Sequence, residues 1–275
     1  MKRIIEFVTK TDAIATDLFV PAKASGKPPY EDLLLTPEYK SRRFAFPRGK
    51  TCVRILPQVV GSSGWMQGMS VLSHPNGRHA KSVDTGAENV FGIAYRWIQK
   101  NEPSLLYSKA NRDGYRLLPS PMSVCWLLIE IDGEMKAKLF LGSAYDGLRG
   151  ENCGIAHQLF RIARELDQPG GHDAADSDYG VQITVEKTIP PGEEYPNYQI
   201  TRHHQAVPIQ RYLDRMSESE VNAICPLQEV IHSVDSRQEW ELLAKVIGTE
   251  LSDQIREATC GASEPSIASD EPPDE

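Results

Sequence analysis

Residues 42–57 combine basic and aromatic side chains in a pattern that suits a polyanion. Five basic residues and two phenylalanines occur there, with no acidic residue among them. Basic side chains neutralise phosphates and release counterions, and an aromatic face stacks on a base without reading its identity. The segment therefore predicts contacts with single-stranded nucleic acid through Arg42, Arg43, Phe44, Phe46, Arg48, Lys50 and Arg54. The alternative is an ordinary solvated hairpin at the edge of a barrel.

More residues of the same two types follow this segment. Residues 108–116 in particular predict a basic loop with an Asp-Gly turn. We assign base stacking to Trp65, Tyr95, Tyr107, Tyr115 and Tyr179, and phosphate contacts to Arg78, Lys81, Arg96, Lys100, Lys109, Arg112 and Arg116.

The formal net charge of −8 is distributed unevenly along the chain. Residues 37–120 carry 13 basic and 5 acidic side chains, whereas residues 201–275 carry 6 basic and 15 acidic ones. A basic region facing a polyanion and an acidic end that keeps the protein soluble are the interpretation this asymmetry favours.

Three polar residues after the most hydrophobic run offer a different chemistry. Asp132, Glu134 and Lys136 are similar to the carboxylates and lysine of metal-dependent nucleases, in which the carboxylates hold Mg²⁺ and the lysine steadies the attacking water. The spacing is poor, because Asp132 falls in a predicted hairpin turn. A third hypothesis is an adaptor protein that acts through C-terminal helices, but it leaves the basic region without a purpose.

The cysteines and histidines predict neither a disulfide framework nor a metal site. The five cysteines are odd in number and scattered, without a Cys-x-x-Cys pair, which favours free thiols in a reducing compartment. His74 and His79 flank a turn and could share a metal only if other ligands arrive from elsewhere. No phosphate loop, Ser/His/Asp order or dinucleotide fingerprint is present, so we predict no catalytic residue, no metal and no cofactor.

The chain lacks the signals of membrane or secreted proteins. No apolar run reaches the roughly 18 residues of a spanning helix. The start Met-Lys-Arg-Ile-Ile-Glu-Phe leads into polar residues rather than into a signal-peptide core. We therefore expect no membrane partner and a cytoplasmic location.

Period-2 and helical patterns assign these residues to elements. The runs on either side of residues 47–50 predict a hairpin, and residues 122–131 predict a central strand that turns at Asp132-Gly133 into a second hairpin strand. Further strands are predicted at 65–72 and 179–189, an extended piece at 195–200, and amphipathic helices at 88–100 and 155–166. Beyond residue 208 the pattern is helical, with Ser217 and Glu220 as a capping box.

The order of these elements resembles the single-stranded-DNA-binding protein family of T-even phages. The likeness covers about residues 39–200 and is carried by the order of short motifs, among them Val-Arg-Ile-Leu-Pro at 53–57, Trp-Leu-Leu-Ile at 126–129, Val-Gln-Ile-Thr-Val at 181–185 and Tyr-Pro-Asn-Tyr at 195–198. The resemblance implies an OB fold, a basic cleft lined by aromatic residues, cooperative binding along the strand and an acidic tail that contacts replication and recombination proteins. The family's Cys/His zinc module falls where this chain has residues 74–100 without cysteines, so no zinc is carried over.

These observations together define the expected protein. We predict a mainly β protein with α structure, in which a five-stranded OB-fold barrel at residues 37–200 follows an N-terminal arm at 1–36. A helical C-terminal extension at 201–259 and a disordered acidic tail at 260–275 complete the chain. We expect a non-enzymatic protein that coats and protects single strands during DNA replication, recombination or repair. Its expected partners are single-stranded DNA, other copies along the DNA, and replication or recombination proteins at the tail.

Overall fold

The structure, a computed structural model, describes residues 30–83, 89–145, 154–165, 172–192 and 196–260. Its strands are β1 (Glu31–Leu33), β2 (Arg43–Phe44), β3 (Gly49–Ile55), β4 (Met66–His74), β5 (Gly77–Ser82), β6 (Ser120–Ile131), β7 (Glu134–Ser143), β8 (Val181–Thr188) and β9 (Asn197–Ala206). Its helices are α1 (Val90–Asn101), α2 (Ile155–Ala163), α3 (Gln210–Leu213), α4 (Glu218–Asn222), α5 (Leu227–Val230), α6 (Ser236–Ile247) and α7 (Thr249–Cys260), with 3₁₀ helices at Pro37–Arg42 and Pro103–Leu105.

The strands form one mixed sheet in the order β1-β5-β4-β6-β3-β8-β9, and β7 pairs with β6 and β2. The long strand β6 is central, because β4 and β3 pair with successive parts of one side of it while β7 pairs along the other. The predicted mixture of β and α structure is confirmed. Within the described ranges the sheet is open, with β1, β2 and β9 as edge strands, and has more strands than the five of the predicted barrel.

The predicted hairpin around residues 47–50 is wrong. β2 lies parallel to β7, with Arg43 opposite Leu139, while β3 lies between β6 and β8. The physical reason is the burial of Phe46, which is 3% exposed and packs with its ring centroid 5.0 Å from that of Phe140. Burying this large apolar side chain outweighs the local preference for a tight turn.

The second predicted hairpin, β6–β7, is confirmed. Asp132 and Gly133 have φ angles of 53° and 81°, the positive values that a two-residue type I′ turn requires. The inner part of β6, from Val124 to Ile129, is buried on both sides of the sheet, which explains its continuous apolar run.

Three hydrophobic cores surround the sheet. The first packs residues of β4, β6 and β7 against helices α3 and α5, and the second packs the opposite face of β3, β6 and β8 against α2. The third joins α1, α6 and α7 to Leu72 of β4. The helices after residue 208 therefore share cores with the sheet, and β9 continues to Ala206, beyond the predicted barrel boundary at 200.

The described part of the predicted N-terminal arm belongs to the sheet. β1 pairs in parallel with β5, and Leu34 and Leu35 are buried in the first core. Leu35 forms a bridge with Ile231, and the amide of Thr36 donates to the carbonyl of Val230 at 3.0 Å. Residues 1–29 of that arm and residues 261–275 of the predicted tail lie outside the described residues.

Capping residues explain where two of the helices begin. Asn89 caps α1, because its side chain accepts from the amide of Gly92 at 2.7 Å, and the helix predicted at 88–100 is confirmed one or two residues further on. Ser217 caps α4 as predicted, but the Glu220 carboxylate bonds to Arg42 instead of completing the capping box. No helix in the described ranges is long and apolar enough to cross a membrane.

Candidate nucleic-acid interface

Arg54 is a structural residue and has no access to phosphate. Its side chain is fully buried, and Nη1 donates to the carbonyl oxygens of Ile55 at 2.7 Å and Ala174 at 2.5 Å. Nε donates to the carbonyl of Val207 at 3.3 Å, and Nη2 donates to that of Asp176. Burial lowers the pKa of Arg54 to about 10. The guanidinium thus ties β3 to the loops that precede β8 and follow β9.

Phe46 and Lys81 are also withdrawn from the surface. Phe46 belongs to the second core. Lys81 is 6% exposed, and its Nζ lies 2.6 Å from Oε1 of the fully buried Glu239 in α6. The other oxygen of Glu239 accepts from the amide of Val90 at 2.8 Å, so this ion pair joins β5 and α6 to the start of α1.

Three further predicted phosphate ligands are engaged by acidic residues. Arg42 pairs with Glu220 at 2.9 Å, and Asp32 accepts from Arg43 at 2.9 Å and from Arg78 at 2.5 Å. These contacts fasten the 3₁₀ helix and β2 to neighbouring elements. The segment predicted to be a free basic hairpin is therefore largely neutralised by its own fold.

Four predicted stacking residues have partners within the protein. Phe44 packs edge-on against Phe46 at 5.2 Å, and Tyr95 and Tyr115 pack against the third core. Tyr179 is 56% exposed, but one face of its ring stacks on His172 at 4.3 Å. Only the outer face of Tyr179 is open to a ligand.

The remaining predicted basic residues are exposed. Lys50 keeps a long ion pair with Glu186 at 3.7 Å, and its side chain is 71% exposed. The others lie in two places, at Arg48 before β3 and in the region formed by α1 and the loop that follows it. That second group comprises Arg96, Lys100, Lys109, Arg112 and Arg116.

Residues 106–117, here called the basic loop, are held in one conformation by their own backbone. Leu106 and Tyr115 form a bridge, and the amide of Tyr107 donates to the carbonyl of Tyr115 at 3.0 Å. Asn111 Nδ2 donates to the carbonyl of Ser104 at 2.7 Å. At Gly114 an added Cβ would lie 2.4 Å from the carbonyl carbon of Leu106, so only glycine allows this approach.

The basic loop presents an aromatic face beside positive charge. Leu106 and Leu117 anchor its two ends in the third core. Tyr107 remains 44% exposed, with the guanidinium carbon of Arg116 4.0 Å from its ring centroid. Lys109 and Arg112 are exposed on the same loop, whose one acidic residue is Asp113. This is the combination of stacking surface and phosphate ligands that single strands require.

A strip of small residues on β4 lies between two cores. Met66 packs against the second core and Leu72 belongs to the third. Because alternate residues of a strand share a face, Gly68 and Ser70 lie on the same face between them. Met66 and Leu72 are about 20 Å apart along an extended strand, since each residue adds about 3.4 Å.

The strip continues onto β6. Ser123 lies opposite Gly68, and Pro121 lies opposite Ser70. Pro121 is exposed and Ser123 is 9% exposed. We call Gly68, Ser70, Pro121 and Ser123 the small-residue strip. The chain enters it directly from the basic loop, because β6 begins three residues after Leu117.

An aromatic pair lies beside β4, and the sequence analysis identified only one of its two members. Trp65 stacks on Phe160 of α2 with a centroid distance of 5.7 Å, and its indole donates to Asp173 Oδ2 at 3.2 Å. The guanidinium of Arg164 lies 5.3 Å from the Phe160 centroid, and Arg161 is exposed on the same helix. Phe160, Arg161 and Arg164 were missed, although Arg-Ile-Ala-Arg on an amphipathic helix was a usable signal.

The carboxylates of the nuclease hypothesis do not gather into a site. Asp132 is exposed in the β6–β7 turn, and Glu134 pairs instead with Lys136 at 3.1 Å.

Among the described residues, the group whose donor atoms converge for a metal is Glu31, His74 and His79, within 4.8 Å of one another. The cysteines whose side chains are described, Cys52, Cys125 and Cys225, are outside this group, so a Cys/His module does not fit them.

A small pocket opens beside β3, next to the side chain of Arg54. It has a volume of about 120 Å³ and is lined by residues that include Arg54, Glu130, Gln182, Tyr212 and Arg215. Ligand pockets generally exceed about 300 Å³, so this space suits a few water molecules rather than a nucleotide base.

No protein-family model and no curated protein matches this chain. The chemistry of the basic loop and the small-residue strip is thus the basis for a functional proposal.

Proposed function

We propose that this chain is a sequence-independent single-stranded-DNA-binding protein, which coats and protects single strands during DNA replication, recombination or repair. The observation that carries the proposal is the basic loop, with Tyr107 exposed under Arg116 and with Lys109 and Arg112 beside it. The chain runs from this loop into β6 and the small-residue strip, with the side chains of Val83 and Lys81 beside it.

A single strand fits this surface in a simple way. Phosphates contact the cations of the basic loop, and a base stacks on Tyr107. The strand then follows the small-residue strip toward Trp65 and Phe160, where Arg161 and Arg164 offer further phosphate contacts. None of these groups reads the edge of a base, which supports binding without sequence preference.

The OB-type fold is part of the same proposal. It is supported by the antiparallel β6–β7 pair, the helix α2 and the final β8–β9 pair in that order along the chain. The acidic end is proposed to recruit replication or recombination proteins, since acidic residues outnumber basic ones 15 to 6 in residues 201–275.

A titration of labelled oligonucleotides tests the proposal. We expect single strands to bind more tightly than duplexes, with affinity falling steeply between about 50 and 200 mM salt. The oligonucleotide should stay intact in Mg²⁺. Cleavage would favour the nuclease hypothesis instead, and binding that does not respond to salt would contradict the proposal.

Variants locate the interface. Lys109→Ala with Arg112→Ala should weaken binding and make the slope of log affinity against log salt shallower by about 1.4, since each single-strand phosphate contact contributes about 0.7. The control is Lys136→Ala with Arg211→Ala, which removes the same charge from the β6–β7 hairpin and from α3. Equal slopes for the two variants would show that DNA binds elsewhere.

A further inference from the structure

His74 and His79 are buried histidines, and one nitrogen of each ring has no hydrogen-bond partner among the described residues. Both are 8% exposed, and the Nε2 atom of each is buried without a hydrogen-bond partner. Their rings lie 5.2 Å apart between centroids, at the end of the β4–β5 hairpin. A buried polar atom without a partner requires an explanation, and an ion that the atom coordinates is one.

A third donor reaches these rings from β1. Glu31 pairs with Gly77 in the parallel β1–β5 register, and its Oε2 lies 3.7 Å from Nε2 of His79. That distance is too long for a direct hydrogen bond. It is close to the separation of about 3.4 Å between two ligands on one tetrahedral zinc, because Zn–N and Zn–O bonds are about 2.1 Å long.

We propose that Glu31, His74 and His79 bind one divalent transition-metal ion, and that the ion is zinc. Two imidazoles and a carboxylate are a recognised zinc donor set, and a water molecule completes four ligands on the solvent side, where Glu31 is 50% exposed. Mg²⁺ is a poor fit, because it prefers six oxygen ligands. The ion would clamp the short strand β1 to the β4–β5 hairpin.

Burial and neighbouring charges both act on the pKa of these rings. Burial lowers the pKa of His74 and of His79, and the charge of Lys245 acts in the same direction on both, as does His232 on His79. The carboxylate of Glu31 opposes these effects. Coordination requires both imidazoles in the neutral form, because the metal takes the lone pair that a proton would occupy.

Zinc binding would break one hydrogen bond that the structure shows. Nδ1 of His74 accepts from the amide of Asn76 at 3.2 Å, so the neutral ring carries its proton on Nε2. Coordination through Nε2 requires the other tautomer or a turned ring, and the Asn76 amide then loses its acceptor. The Asn76 amide resonance should shift when zinc is added.

Equilibrium dialysis of the full chain against zinc, followed by elemental analysis, tests the proposal. We expect one zinc per chain and a higher Tm with zinc than without it. Glu31→Gln should weaken binding at least tenfold and abolish the Tm rise, while the fold survives because Glu31 is half exposed. His79→Gln should do the same, with circular dichroism as the check of folding.

The matched control is Glu257→Gln, which removes an exposed carboxylate from α7 and should bind zinc as the unaltered chain does. Zinc that binds equally well to Glu31→Gln and His79→Gln would be held by other groups, such as the thiols, and would overturn the proposal. A chain that binds no zinc would also overturn it, leaving a water molecule as the partner of the two rings.

Discussion

Tyr107 offers the clearest single-residue test of stacking. Its ring is 44% exposed and lies under the guanidinium of Arg116. Tyr107→Ala should lower the affinity for single strands roughly 5- to 150-fold, since a stacked base contributes about 1–3 kcal/mol, whereas Tyr107→Phe should retain most of it. Fluorescence anisotropy at constant salt measures both variants.

The control for Tyr107 is Tyr30→Ala, which removes another exposed tyrosine, 61% exposed, outside the basic loop. If Tyr107→Ala binds as tightly as the control, the stacking part of the proposal is wrong.

Arg54 should affect stability rather than DNA binding. Arg54→Ala leaves the carbonyls of Ala174 and Val207 without this donor, and the carbonyl of Asp176 keeps only the amide of Gly180. We expect the free energy of unfolding to fall by about 3 kcal/mol or more, because hydrogen bonds to a charged group are the stronger ones and their loss exposes the desolvation cost. Urea denaturation measures the loss, and the folded fraction should bind DNA with an unchanged salt slope. If Arg54→Ala has normal stability but a shallower slope of log affinity against log salt, then Arg54 is a phosphate ligand.

Asp32 gives the fold a defined dependence on pH. Burial acts to raise its pKa, but the hydrogen bonds donated by Arg43 and Arg78 outweigh burial and hold the pKa below its usual value. A carboxyl group with a lowered pKa stabilises the fold above its unfolded-state pKa of about 3.9, and this contribution is lost as the pH falls through the folded-state value. Asp32→Asn should therefore make the free energy of unfolding less dependent on pH below about pH 4.

Urea denaturation at several pH values measures that dependence. Asp253→Asn, at an exposed aspartate of α7, is the control and should preserve the pH dependence of the unaltered chain. Identical curves for the two variants would mean that the Asp32 contacts contribute nothing to the fold.

At the scale of elements, the shape of the basic loop should matter separately from its charge. Gly114→Ala adds a methyl group 2.4 Å from a backbone carbon of Leu106, so the loop must shift. We expect weaker single-strand binding at every salt concentration with no change in net charge, measured in the same anisotropy titration. Gly64→Ala is the control, because its added Cβ meets nothing closer than 3.6 Å. Equal affinities would show that the loop conformation is dispensable.

The elements that the sequence predicted well are those with local causes. The Asp132-Gly133 turn and the apolar run of β6 define the β6–β7 hairpin without help from the rest of the chain. The predicted 42–57 hairpin failed because Phe46 is buried against Phe140 of a strand far along the chain. The basic loop could be predicted, since its cations and its turn are neighbours in sequence.

The site residues that the sequence misassigned have distant partners. Lys81 looked like a phosphate ligand because Glu239, which neutralises it, lies in α6. The small-residue strip was not predicted, because pairing of β4 with β6 is what places Ser123 beside Gly68. Glu31 was likewise not predicted as a partner of the histidines, since a parallel pairing of β1 with β5 brings it there.

In the folded molecule as a whole, acidic residues from the C-terminal region neutralise part of the positive charge of residues 37–120. Residues 37–120 are basic by sequence, yet Arg42 and Lys81 are paired with Glu220 and Glu239 from the acidic C-terminal region. The two regions neutralise each other where they pack. Of the basic residues in 37–120 that remain exposed, five lie on α1 and the basic loop, and Lys40, Arg43, Arg48 and Lys50 lie elsewhere.

The acidic tail is expected to compete with DNA at the proposed DNA-binding surface. Residues 261–275 lie outside the described residues and contain five acids and three prolines. Deleting them should tighten single-strand binding most at low salt, because an acidic segment can compete with DNA for the cations. The advantage should fade as the Debye length falls from about 30 Å at 0.01 M to about 10 Å at 0.1 M salt.

A tail of unchanged length with its acids replaced by amides is the matched control for that deletion. It should tighten binding as much as the deletion does, since the effect is electrostatic. Anisotropy titrations at three salt concentrations compare the three chains. Equal affinity for all three would leave the tail with a partner-binding role alone.

The bridge between Leu35 and Ile231 joins positions about 200 residues apart in a chain of 275. His232 also donates from its amide to the carbonyl of Leu34 at 3.1 Å, so the edge of the sheet is completed by residues near the C-terminal helices. Ribosomes add about 5–20 residues per second, so Leu35 waits about 10–40 s for this partner to be synthesised. During that interval Leu34 and Leu35 lack part of the core that buries them in the folded protein.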